Sequence, residues 1–383
     1  MSLQIHDDLL DPAVVNNPHP YFHQLRAEDP VHWNEKWNGW VLTRYHDVNK
    51  ALMSSGLTSE RMKPPSSMPK KLAEEMASTF DVLSKWMVFC DPPDHTRIRM
   101  LVSKAFTPKA VEEMRPFVHE VTEDLLNGLE NAEKIDIIRQ FAFHVPVLVI
   151  CRMLGLPNED RELLKQWSDD LLQLVFGAVK DENRHEKAKN GLKQMVDYLK
   201  DVIRDRQKHP KDDLITALIN ANEKGDALSM DEIVSTCSLV VFGGHETTTN
   251  LISNGLYTLL RHPDQLERLK ADPSLIKTAV EELLRFEGPS KAIMRIAKED
   301  TEIGGKTIKK DQRLLLVQSA ANRDPEVFEN PDQLDIARHP NPHLGFGQGI
   351  HYCLGAPLAR LETSIAINNI LHRFPDMRLE KEE

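Results

Sequence analysis

Cysteine is scarce in this sequence. The four that occur, Cys90, Cys151, Cys237 and Cys353, are scattered through 383 residues with no Cys-x-x-Cys pair, which excludes a disulfide framework, a zinc finger of usual spacing and a dithiol redox motif. A single ligating or reactive cysteine remains open. Long apolar runs are missing too: no stretch of about 18 apolar residues occurs, so no membrane span is expected. The first residues, MSLQIHDDLLDPAVV, have no basic segment followed by an apolar one, and the chain is expected to be cytoplasmic. Positive charge is in deficit, 48 Lys and Arg against 59 Asp and Glu for a net charge of -11, which disfavours nucleic acid and anionic membrane as partners. No internal repeat, low-complexity tract or Gly/Ser linker is present, so one domain is expected over residues 1–383.

What is present is an ordinary globular composition, 40% hydrophobic and 28% charged, long enough for a large core. HPYFHQLRAED (19–29) predicts a short helix. PVHWNEKWNGWVLTRY (30–45) alternates large and polar residues around Asn38-Gly39 and predicts a hairpin. TSERMKPPSSMPKK (58–71), with three prolines, predicts an exposed irregular loop. Helical periodicity dominates from about 93 to 285, with the charged stretch 180–195 a solvated helix or loop, and residues 290–325 read as short strands around a Gly304-Gly305 turn. The fold class expected is mainly α with small β-sheets, β-richer over about 1–60 and helical from about 80 onward.

The most informative helix begins at Ser229, where S-M-D-E is a capping box, and is expected to run to Pro263. That is roughly 33 residues, or about 50 Å, the span of a whole domain. Its middle is poorly suited to a helix: Gly243-Gly244 costs about 1 kcal/mol per glycine against alanine, and His245, Glu246, Thr247, Thr248 and Thr249 follow. Either the glycines admit another helix closely while the threonines face polar surroundings, or something bulky lies flat against Gly243-Gly244. In the second case Glu246 and Thr247 are an acid and an alcohol placed beside it for proton delivery. A second constellation, EELLRFEGP (281–289), puts Glu282 and Arg285 on one helical face, which by spacing alone is an ordinary surface ion pair.

The stretch HLGFGQGIHYCLGAPLARLE (343–362) surrounds Cys353 with glycine. Rossmann and P-loop readings fail, because PNPH rather than a strand precedes it and no Lys-Ser/Thr follows. Zinc on His343, His351 and Cys353 has unsuitable spacing and no fourth ligand. A buried inert cysteine is the plainer alternative. Against it, Cys353 lies just before a helix start, with Pro357 suited to the first turn and Leu358, Leu361 and Ile365 as the buried stripe; a helix N-terminus favours a thiolate. A thiolate there, with a glycine-broken helix and an acid-alcohol pair, suits a flat redox cofactor such as haem.

Phe346, Gly349, Cys353 and Gly355 stand in the pattern F-x-x-G-x-x-x-C-x-G, which resembles the haem-thiolate signature of the cytochrome P450 superfamily. GGHETT (243–248) is similar to the family's oxygen-activation motif, and Glu282-x-x-Arg285 to its E-x-x-R, with Arg338 in LDIARHP as the usual third partner. The resemblance implies the P450 fold, with haem b between a long central helix and the cysteine loop. Cys353 would be the axial ligand, shielded by Phe346, with Gly349 and Gly355 letting the backbone reach around it. His95 and Arg99 in DPPDHTRIR, Arg295 in IMRIA, and His351 would hold the propionates.

HETTTNLIS, SAANRDP and CLGAPLARLE resemble soluble bacterial class I members, with some similarity to Bacillus-type enzymes acting on fatty acyl chains. The activity implied is monooxygenation by O2 of a lipophilic fatty acid, terpenoid or steroid-like molecule; peroxide-driven fatty-acid oxidation and haem-thiolate sensing are the alternatives. No flavin or iron-sulfur motif is present, so a separate ferredoxin or flavodoxin with its reductase is expected, docking on a basic patch that includes Arg97, Lys104 and Arg360. A monomer is expected. Candidate pocket walls are the loop before Cys90, residues 170–190, Val240 to Gly244 and Ala292 to Met294. Relatives usually continue beyond the equivalent of FPDMRLEKEE through a strand and a pocket-lining hairpin, which is expected to be absent here.

Overall fold

Asn38 takes a φ of 55°, and the hairpin signalled by Asn38-Gly39 forms there. The computed structural model describes residues 5–64, 68–176, 182–223 and 225–380. Residues 65–67 of the expected loop and 177–181 of the candidate wall lie outside the described residues. The chain divides into two compact units, each assembled from separate stretches: one from residues up to Ser59, Asn250–Ala356 and from Ile367 onward, the other from Glu60–Thr249 and Pro357–Ala366.

The strands are β1 (Val31–Asn34), β2 (Gly39–Leu42), β3 (Leu57–Thr58), β4 (Asn222–Glu223), β5 (Asp226–Ala227), β6 (Ile293–Ala297), β7 (Thr301–Ile303), β8 (Lys306–Ile308) and β9 (Arg313–Leu316). In the first unit five of them form a sheet in the order β1-β2-β9-β6-β3, with β2 and β9 parallel and the other neighbours antiparallel. Neighbouring residues Val41 and Leu42 are both fully buried, in different hydrophobic clusters. Leu42 packs with Val48, Leu57, Leu314, Leu316 and Phe328, and Val41 with Tyr21, Leu25 and Val317. A strand covered on both faces reads as a continuous apolar run, which is what GWVL and RLLL are. β7 and β8 form the hairpin expected at Gly304-Gly305, whose φ values of 57° and 74° need glycine.

Among its described residues the second unit is helical apart from the β4-β5 hairpin, which the sequence reading missed. Ser229 caps the helix Met230–Gly244 through the expected box with Glu232. That helix is buried almost all round, at Ile233, Val234, Ser235, Cys237, Ser238 and Val241, and Trp86 donates its indole N–H to Ser238 Oγ at 2.8 Å. It does not run on to Pro263 as expected. It stops at Gly244, and a second helix, Glu246–Arg261, follows. The break is chemical: His245 Nδ1 donates to the Val241 carbonyl (2.8 Å), Thr247 Oγ1 to Gly243 (2.9 Å), Thr248 Oγ1 to Gly244 (3.4 Å) and Thr249 Oγ1 to His245 (2.9 Å). Four side chains thus bond carbonyls one turn back, in competition with the amides, where two glycines already weaken the helix. Among the described residues no helix is long and apolar enough to cross a membrane.

Candidate active site

Three of the four cysteines are buried, and burial pushes Cys90 and Cys151 up to about 11 and Cys237 to about 12; such thiols are inert at neutral pH. Cys353 is exposed. Its loop turns at Gly347 and Gly349, with φ of 73° and 72°, a region costly for any residue with a Cβ. A Cβ on Gly349 would in addition lie 3.2 Å from the Leu52 carbonyl oxygen. The Cys353 amide donates to the Phe346 carbonyl at 2.9 Å and the Tyr352 amide to Gly349 at 3.1 Å. A Cβ on Gly355 would sit 3.9 Å from Cys353 Sγ, so glycine there keeps one side of the sulfur clear. The helix Ala356–Arg373 then starts, with Pro357 in its first turn and Leu358, Leu361 and Ile365 buried as expected.

The same unit holds the loop from behind. Glu282 and Arg285, expected by spacing to be a surface pair, are fully buried and joined by two hydrogen bonds of 2.8 and 2.7 Å. Arg338 is the third partner, with Nε 3.2 and 3.1 Å from the two Glu282 oxygens. Arg285 also donates to the Asn322 carbonyl at 2.9 Å, and Asn322 Oδ1 accepts the Leu344 amide at 2.7 Å. Arg295, on β6, is buried and donates to the Met294 carbonyl at 3.0 Å. His351 Nε2 lies 3.1 Å from the buried Ser59 hydroxyl, which orients its ring. Arg295, Phe346, Gly349, His351, Cys353 and Gly355 therefore share one unit.

His95, Arg99, Gly243, Gly244, Glu246 and Thr247 share the other. His95 is buried on the helix Asp94–Ala105, and burial, reinforced by the Arg99 cation, holds its pKa below the usual imidazole value, so it stays neutral and keeps one N–H to donate. The two glycines have separate roles. A Cβ on Gly244 would meet Ile150 Cδ1 at 2.6 Å, whereas one on Gly243 would meet nothing within 4 Å. Gly244 is thus small for packing against the helix His144–Leu154, whereas Gly243 has open space beside it. Thr247 is exposed beside it. Glu246 has its pKa raised by burial and further by the Asp169 charge, with Lys165 opposing.

The expected basic patch is also corrected in part. Arg97 is ion-paired with Asp226 and Glu232, which neutralise it, whereas the exposed Lys104 donates to the Asn222 carbonyl and keeps its charge.

Sequence reasoning missed Asp169, Lys165, Ser59 and the partner of His343. Each acts across a distance in the chain that no local pattern encodes.

The donor set suits a metal carried in a macrocycle. Among the described residues no group of three His, Cys, Asp or Glu could hold a bare ion. His343 is engaged by Glu281 and His351 by Ser59, which removes the zinc reading. One exposed thiol in a glycine loop is what a haem iron, already held by four pyrrole nitrogens, needs from a protein. A family model described as cytochrome P450 matches residues 40–380. The chain belongs to the cytochrome P450 family.

Its members are haem-iron monooxygenases, and this P450 is a haem-binding monooxygenase. It is 41% identical over 371 residues to the biotin biosynthesis cytochrome P450 of Bacillus subtilis (strain 168), covering 95% of this chain and 91% of that one. It is 39% identical over 376 residues to the vitamin D(3) 25-hydroxylase of Pseudonocardia autotrophica, covering 97% and 90%. Among solved structures, P450BioI in complex with an acyl carrier protein ligated to hexadec-9Z-enoic acid superposes with a TM-score of 0.90 at 39% identity, covering 97% of this chain and 94% of that one. The fold expected from the resemblance is therefore the fold found. Bacterial members of the family use redox partners and lipophilic substrates.

Proposed function

We propose that this P450 holds its haem through the thiolate of Cys353 and hydroxylates a fatty acyl or steroid-like molecule, with Glu246 and Thr247 delivering protons. The observation that carries the reading is the contrast between Cys353, exposed in a glycine-shaped loop before a helix, and three buried cysteines. Haem, when bound, supplies a metal that activates O2 with electrons from outside the chain. The start of the helix Ala356–Arg373 favours the Cys353 thiolate. Phe346 shields it, and Gly349 and Gly355 give the loop its shape.

Arg99 and Arg295 are permanent cations for the propionates, joined by His95, a neutral donor, and His351, whose ring Ser59 orients. Gly243 leaves room above the helix. Burial and Asp169 keep the Glu246 carboxyl protonated to higher pH than an ordinary carboxyl, which makes it a reservoir from which protons pass. Thr247 Oγ1 directs its own hydrogen to the Gly243 carbonyl and keeps its lone pairs for an incoming proton donor. This pair favours reductase-driven over peroxide-driven chemistry.

The vitamin D(3) 25-hydroxylase and the fatty-acyl complex of P450BioI support a lipophilic substrate, as do the largely apolar candidate walls Val240 to Phe242 and Ala292 to Met294. Electrons come from a separate ferredoxin or flavodoxin with its reductase, and the protein acts as a monomer.

The test is the spectrum of the reduced protein with carbon monoxide. A thiolate-type Soret shift is expected in the parent and lost in Cys353→Ala; a colourless protein, or a shift that survives the substitution, overturns the assignment. A library of fatty acids, steroids and terpenoids, screened by Soret perturbation and then by turnover with a surrogate ferredoxin and reductase, is expected to yield hydroxylated product that depends on NAD(P)H. Turnover only with added peroxide would overturn the reductase-dependent reading.

A further inference from the structure

Two adjacent acids on the helix Ile276–Glu287 grip different things. Glu282 faces inward to Arg285 and Arg338. Glu281, about 100° further round the helix, lies 2.9 Å from His343 Nε2 through its Oε2. The His343 side chain is 4% exposed. Its other nitrogen, Nδ1, accepts the backbone N–H of Gly345 at 3.1 Å. A backbone amide only donates, so Nδ1 carries the lone pair and the ring proton sits on Nε2, donated to Glu281. The two contacts therefore fix both the tautomer and the orientation of the imidazole.

The fit is close. A Cβ on Gly345 would lie 3.0 Å from His343 Nδ1 and 3.2 Å from the Leu284 carbonyl oxygen, so ring and helix crowd any side chain at this position. The His343 and Phe346 rings are 6.2 Å apart, and the Phe346 carbonyl accepts the Cys353 amide at 2.9 Å. One peptide separates the amide that His343 holds from the residue that holds the amide of Cys353.

We propose that Glu281 and His343 are a positioning couple for Cys353: through the Gly345-Phe346 peptide they set the direction of the Cys353 amide and so the electron donation of its sulfur to iron. Neither touches the iron or the substrate. The proposal rests on the reading that Cys353 is the haem ligand. A metal ligand is tuned by the groups that orient it as well as by its own identity. With the couple removed, the loop relaxes, the sulfur donates less to iron, and the reduced iron is favoured.

The test uses the full-length haem protein and five variants, reading the reduction potential and the share of the carbon monoxide complex with a thiolate-type Soret band. His343→Ala is expected to raise the potential so that the reduced-to-oxidised ratio at fixed poise changes about tenfold, about 59 mV for one electron, and to lose part of the thiolate-type band. His343→Asn, whose Oδ1 can accept the same amide two residues on, is expected to restore most of both. Glu281→Ala is expected to fall between parent and His343→Ala, and Glu281→Gln, which keeps an acceptor, to stay near parent.

If His343→Ala does not retain haem, the comparison of Glu281→Ala with Glu281→Gln still reads the effect. Parent-like potentials and spectra in both alanine variants, or in Glu281→Ala alone where His343→Ala loses haem, would overturn the proposal, even if melting temperatures fall. Cys353→Ser is the separate arm: if it keeps the thiolate-type band, the ligand assignment fails and the couple falls with it. If it loses the band while the alanine variants match the parent, the couple alone falls.

Discussion

Thr247 donates its hydroxyl hydrogen to the carbonyl of Gly243, 2.9 Å away across the break in the helix. The same hydroxyl is thus a structural clamp on the backbone and an exposed acceptor. Those roles separate on substitution. The Gly243 carbonyl is at an exposed position, so water can replace the lost clamp at small cost, whereas nothing replaces an oriented hydroxyl.

Thr247→Ala should therefore keep haem and fold while product formed per NAD(P)H falls by about a hundredfold or more, the range typical of losing a proton-delivery group, with peroxide released instead. Thr247→Ser should retain most of the coupling. Product and peroxide quantified against NAD(P)H consumed make the check, and unchanged coupling in the alanine variant would count against the role given to Thr247.

The Glu246 carboxyl is held above its ordinary range first by burial and then by the charge of Asp169, while Lys165 pulls the other way. Lys165 and Asp169 are ion-paired at i and i+4. A raised pKa keeps Glu246 a proton donor to higher pH, and its activity is lost as pH rises through that value. Asp169→Asn should move the alkaline limb of coupled turnover to lower pH, Lys165→Met should move it to higher pH, and Glu246→Gln should remove it. Profiles of product per NAD(P)H against pH decide the matter; a limb that ignores both neighbours belongs to another group.

Gly243 and Gly244 should respond oppositely to the same change. Gly244→Ala drives a methyl to 2.6 Å from Ile150 Cδ1 and should lower stability by about 1–3 kcal/mol, with Ile150→Val, which removes that methyl, restoring part of it. Gly243→Ala meets nothing and gains about 1 kcal/mol of helix propensity, so its stability should hold or rise while the Soret position or substrate response shifts. Chemical denaturation beside absorption spectra separates the two, and equal stability losses at both positions would contradict the division.

Local signals in the chain were legible: the Ser229 box, the Gly304-Gly305 turn, the Asn38 hairpin and the glycine-framed Cys353 each follow from residues within a few positions. So was the P450 resemblance, because its motifs are short and ordered. What escaped depends on distant partners. The spacing in EELLR does not by itself distinguish a surface pair from a fully buried one; the resemblance pointed to Arg338 as third partner, but nothing pointed to Asn341, and nothing in RLLL announces a parallel neighbour in GWVL. The helix break was visible as low propensity at Gly243-Gly244, but its termination required knowing that His245, Thr247, Thr248 and Thr249 all turn their donors back onto carbonyls.

Glu362, in the helix that follows Cys353, is 1% exposed, and its Oε2 has no hydrogen-bond partner among the described residues. Burial pushes its pKa well above the ordinary carboxyl value of 4.5. In the unfolded chain the group ionises near that ordinary value, while in the folded protein it stays neutral to higher pH. Between the two values unfolding releases a proton, so this group makes stability fall as pH rises, by up to about 1.4 kcal/mol per pH unit. Glu362→Gln keeps the shape and removes the ionisation. Parent and variant should be matched well below the ordinary carboxyl value, where both side chains are neutral in both states, and the variant should gain steadily as pH rises above it. Urea unfolding of equally haem-loaded samples across that range makes the measurement. Parallel stability curves would mean that Glu362 is ionised in the folded protein, with a compensating partner supplied by bound water.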